Sequence, residues 1–134
     1  MRAAIFAASL LAALLPAAAM ACQCSDPALA EAVAGSKYVY IGTVMSGRMV
    51  KGGSSYIESV IQAHRIAKGE IQAGNRTVAT GINSCSTPLA VGHTYMVFES
   101  EGGYVNAMCT GTAIIHRSKE DEFMRKVKDV SNER

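Results

Sequence analysis

Two of the four cysteines, Cys22 and Cys24, are separated by a single residue, and they follow directly on an export leader. No other feature constrains this chain as much. Arg2 supplies a positive start, Ala3 to Leu15 is an apolar run interrupted only by Ser9, and Pro16 breaks it before Ala19-Met20-Ala21, an A-x-A cleavage signal. The run is shorter than the ~20 residues that span a bilayer. Cleavage is expected after Ala21, so that residues 1–21 are a signal peptide and Cys22 becomes the first residue, with a free α-amino group. A cut after Ala19 is the alternative. A cysteine behind the cut is also what a lipoprotein signal presents, and lipidation of Cys22 would anchor the protein to a membrane. The expected location is therefore secreted or periplasmic, with a lipoprotein held through Cys22 as the alternative.

Export carries all four cysteines into an oxidising space, where disulfides are the default. Side chains two apart on an extended chain point to opposite sides, so Cys22 and Cys24 are not expected to bridge each other. Each should reach a distant partner, one to Cys85 and one to Cys109. Such bridges close loops of roughly 60 to 90 residues and stabilise by about 4 kcal/mol each in the chain-entropy picture. Without its leader the chain has about 113 residues, enough for one small domain over 22–134. Metal binding or redox exchange by Cys22 and Cys24 is the competing chemistry, but redox pairs usually take a C-x-x-C spacing.

Asp26-Pro27 is expected to open a short helix through Ala34, with Asp26 as N-cap and Gly35 ending it. Tyr38 to Val44 is dense in β-branched and aromatic residues and predicts a strand, with Gly42 marking a bulge or a close backbone approach. Ser46 to Ser55, with three glycines, reads as a loop. Tyr56 to Lys68 fits both a helical stripe and a strand, and periodicity does not decide between them. Arg76 to Gly81 and Thr94 to Glu99 predict strands. Glu101-Gly102-Gly103 predicts a turn into a further strand, Tyr104 to Met108. Ser118 is expected to cap a last helix whose Phe123, Val127 and Val130 share one face. Short strands, Gly-rich turns and one terminal helix suit a small antiparallel barrel.

The C-x-C start, the run Tyr38-Val39-Tyr40-Ile41-Gly42-Thr43-Val44, the Lys68-Gly69 turn, Cys85, Val91-Gly92-His93-Thr94-Tyr95-Met96-Val97-Phe98 and Cys109-Thr110-Gly111-Thr112 together resemble the netrin-like (NTR) domain. Within it, they resemble the N-terminal domain of the tissue inhibitors of metalloproteinases (TIMPs). The resemblance covers nearly all of Cys22 to Val130. It implies an all-β fold with flanking helices, a five-stranded OB-fold-type barrel with a short N-terminal and a C-terminal helix. It makes Tyr56 to Lys68 a long strand, and it implies the pairs Cys22–Cys85 and Cys24–Cys109. It further implies a metalloprotease inhibitor without a cofactor of its own. In that role the Cys22 amine and carbonyl chelate the zinc of a partner protease, and Gln23 enters the protease's specificity pocket. Gln23 is longer than the small residue usual there. The other reading of the same fold is a disulfide-stabilised module that binds an extracytoplasmic protein without inhibiting it.

No nucleophile elbow, phosphate loop or paired carboxylates mark an enzyme, and none is expected. His64, His93 and His116 lie in separate segments without ligand spacing. Glu58, Glu99 and Glu101 read as solvated strand or turn residues. The net charge of +2 falls to near +1 without Arg2. With few aromatics and no basic run, the composition argues against nucleic acid as a partner.

Overall fold

The structure is a computed structural model that describes Cys22, Cys24 and residues 26–133. Helix α1 (Leu29–Gly35) precedes strands β1 (Tyr38–Val50), β2 (Tyr56–Lys68), β3 (Gly74–Gly81), β4 (Thr94–Glu99) and β5 (Ala113–Ile114). A 3₁₀ turn, Arg117–Lys119, leads into α2 (Glu120–Asn132). The strands form one antiparallel sheet in the order β3-β2-β1-β4-β5. The expected all-β architecture with a helix at each end is the one observed.

The sheet curls. Gly103, which follows β4, accepts a hydrogen bond from the Ala79 N–H of β3 at 2.8 Å, and Val105 N–H donates to Ala79 O at 2.9 Å. Segment 103–105 thus lies beside β3, three places from β4 in the strand order. What joins them is a single parallel bridge between Ala79 and Tyr104, where a strand Tyr104–Met108 was expected. After Val105 the backbone turns instead to hold Cys109.

Alternation along β1 divides the core in two. Tyr40 and Val44 point into the curled sheet with Ile61, Ala63, Val78, Tyr95, Val97 and Val105. Val39 and Ile41 point outward, beneath Ala32 and Val33 of α1, Phe98 of β4, and Phe123 and Val127 of α2. The Phe98 and Phe123 rings meet edge to face at 6.0 Å. The expected α2 stripe is present, with Val130 partly buried against the same cluster.

Several boundaries differ from expectation. Ala28, not Asp26, is the N-cap of α1, and no side chain caps it. The far end of α1 is covered by Lys68, whose ammonium donates to Val33 O at 2.6 Å and Ser36 O at 2.5 Å. Those carbonyls would otherwise lack partners at the helix end. Ser118 lies within the 3₁₀ turn, so α2 is capped by Lys119 without a side-chain bond. Ser46 to Val50 extend β1 rather than forming a loop, because Tyr56 to Val60 pair with them.

Gly42 meets the close approach its position suggested. A Cβ there would lie 2.5 Å from Ile61 Cγ2 and 3.0 Å from Gln62 O. The β1–β2 register slips at the same place: Gly42 faces Ala63 and Ile41 faces Arg65, so His64 is the extra residue of a β-bulge.

Candidate functional site

Both bridges join the start of the described chain to the two loops beyond β3 and β4. Cys22 is bonded to Cys85 and Cys24 to Cys109, with Cα atoms 5.3 and 5.2 Å apart. All four cysteines are consumed, and Cys22 and Cys24 are half-buried. This is the pairing the resemblance implied. Gln23 and the cleavage signal lie outside the described residues.

Asparagines shape both loops. Asn83 Oδ1 accepts hydrogen bonds from the Cys85 N–H at 2.9 Å and the Ser86 hydroxyl at 3.0 Å, closing an Asx-type turn. Asn106 Oδ1 accepts the Met108 N–H at 3.0 Å, and Thr110 Oγ1 donates to Asn106 O at 2.6 Å. Asn106 Nδ2 then crosses to Cys85 O at 3.3 Å. One side chain therefore links the loop of the first bridge to the loop of the second. Val105, fully buried, anchors the second loop in the core.

Around the bridges stand three exposed apolar side chains, Ile82, Tyr104 and Met108. A shallow cleft of about 430 Å³ runs between Tyr56, Ile82, Asn83 and Tyr104. It presents apolar surface beside the loop that holds Cys85. Cys109 and Thr110 border a smaller cleft against Pro27 and α1.

One titratable cluster is internal. Arg76 of β3 donates to both oxygens of Glu99 on β4, at 2.6 and 3.1 Å, and Tyr40 of β1 donates its hydroxyl to Glu99 at 2.9 Å. The Arg76 guanidinium also lies 4.7 Å from the Tyr38 ring. Glu99 is only 2% exposed, so its expected place in solvent is corrected. Burial, reinforced by Glu99, pushes the Tyr40 hydroxyl far above the ordinary tyrosine range. This cluster ties three strands together within the curled sheet. Sequence reasoning missed it because Glu99 closes a strand just before a Gly-rich turn, where carboxylates are usually solvated.

His64, His93 and His116 are all exposed, and His64 Nε2 lies 3.4 Å from Glu120 Oε2. Among the described residues no group of three or more His, Cys, Asp or Glu could hold a metal ion, and no helix is long and apolar enough to cross a membrane. In comparisons with known proteins, no family model and no curated protein matches the chain.

Proposed function

We propose that the exported protein is a TIMP-like inhibitor of a zinc metalloendopeptidase, acting through the α-amino nitrogen and carbonyl oxygen of Cys22. A catalytic zinc keeps one position open for water. A neutral amine and the carbonyl of the same residue can occupy that region as a five-membered chelate. An α-amino group has a reference pKa of about 8, low enough for zinc to displace its proton near neutral pH.

What supports this reading most is the double tether. Cys22 is bonded to Cys85, Cys24 to Cys109, and Asn106 joins the two receiving loops. A chain end held on both sides of residue 23 loses little freedom when it docks, which lowers the ordering cost of binding. Ile82, Tyr104 and Met108 supply apolar contact area beside it. Bonding of Cys22 Sγ to Cys85 leaves no thiol there for a lipid, which favours a released protein over an anchored one.

The test is inhibition of a zinc endopeptidase by the chain beginning at Cys22, compared with a form carrying one added alanine in front. The native form should slow the protease, and the extended form should lose that effect because its amine no longer sits beside the Cys22 carbonyl. Equal inhibition by both would exclude chelation. No inhibition by either, with retained binding to an extracytoplasmic protein, would favour the non-inhibitory binding module, to which the exposed Ile82, Tyr104 and Met108 are equally suited.

A further inference from the structure

A polar cleft of about 530 Å³ opens between β2, the start of β4, the residue after β5 and the N-terminal end of α2. Its walls carry His64, Arg65, Arg117, Glu120 and Asp121, with Ile115 as the apolar surface. The bulge at His64 builds it. Consecutive strand residues normally face opposite ways, but the extra residue lets His64 and Arg65 both line the cleft. Gly42 admits the close approach of β2 that accompanies the bulge.

Charge of both signs faces this space, and it is incompletely paired. Arg65 donates to Asp121 at 2.6 Å. Glu120 is nine-tenths buried, yet its contacts are long and both run through Oε2: 3.4 Å to His64 and 3.8 Å to Arg65. The Arg117 guanidinium has no partner among the described residues. Arg117 and Glu120 are three apart through the 3₁₀ turn, a spacing that stacks side chains on one side. An anion alone would meet Arg117 but face the buried Glu120 carboxylate. A metal ion alone would meet His64 and Glu120 but face Arg65. A ligand bearing both charges on neighbouring atoms satisfies each wall.

We propose that this cleft binds a free aliphatic α-amino acid, with its ammonium on Glu120, its carboxylate on Arg117 and its side chain against Ile115. The site shares no lining residue with the cysteine bridges or their loops and does not depend on protease inhibition. Its volume falls in the usual range for small-molecule sites.

The experiment is amide NMR titration and thermal unfolding of the exported protein with L-leucine. The comparison ligands are N-acetyl-leucine, leucine amide, sodium sulfate and zinc chloride. Leucine should shift the amides of Arg65, Ile115 and Glu120 and raise the unfolding midpoint. Removing either charge should weaken the response about tenfold or more, the scale of a lost charge-assisted hydrogen bond. Arg117→Ala, at an exposed position, should retain the fold and lose leucine binding by a similar factor. Equal responses to the blocked leucines would overturn the proposal. So would perturbation of the same amides by sulfate or zinc alone, unchanged binding by R117A, or silence of the cleft amides at millimolar leucine.

Discussion

At the residue scale, Glu99 governs the interior of the sheet. Its carboxylate accepts from Arg76 and Tyr40 in a space only 2% open to solvent, so no water can replace a lost partner. Glu99→Gln keeps the shape but leaves the guanidinium without its counter-charge. The loss should be about 3 kcal/mol, the lower end for a broken buried pair because Arg76 is itself partly exposed. Urea denaturation measures it directly. Replacing Arg76 and Glu99 together by apolar residues should cost less than the single change. Tyr40 adds a pH dependence. Its folded pKa is raised above the ordinary 10.0, so its contribution is complete below pH 10.0 and declines as pH climbs beyond it. The stability of the native protein should therefore fall on the alkaline side with a slope that Tyr40→Phe reduces. An unchanged slope would show that Tyr40 ionises freely.

At the scale of single elements, what could be read in advance was set by local chemistry. Thr94–Glu99 emerged with its observed bounds because Tyr95, Val97 and Phe98 have strong β preference and Gly92 marks the turn before them. The Phe123-Val127-Val130 stripe was equally plain. The second half of β1 was not, because Ser46, Gly47 and Arg48 have no strand preference of their own. Their pairing partners, Val60, Ser59 and Glu58, create the strand, with an Arg48–Glu58 ion pair across it. Tyr104–Met108 failed in the opposite way: a good strand sequence gives up its ladder after one bridge so that Asn106 and Cys109 can serve the disulfide loops. Gly42 offers a test at this scale. Alanine there would push on the Gln62 carbonyl as well as on Ile61, and backbone does not yield as a side chain can. Gly42→Ala should cost about 1–3 kcal/mol and shift the amide signals of Ala63, His64 and Arg65. A neutral substitution would mean that the two strands are not in contact at the bulge.

At the scale of the whole molecule, covalent bonds tie Cys22 and Cys24 to the loops that follow β3 and β4. The C-x-C spacing and the two later cysteines were visible in the sequence, and the resemblance they carry supplied the pairing. The cleft beside α2 was not visible, because His64 and Glu120 are 56 residues apart and meet only through a bulge. Cys24 and Cys109 span 85 residues, so replacing both by alanine should remove about 4 kcal/mol. For a small domain, whose total stability is about 5–15 kcal/mol, that is a large fraction, and thermal unfolding will register it. The proposed inhibition should fall further than folding, since the segment holding Cys22 would then be tied at one side only.

The account rests on a Cys22 terminus that is both unmodified and bridged, and intact mass spectrometry of the exported protein, before and after reduction, tests both properties together. The expected result is a chain beginning at Cys22 that gains four hydrogens on reduction and carries no lipid. A diacylglyceryl group on Cys22, a first residue other than Cys22, or an unchanged mass on reduction would contradict it.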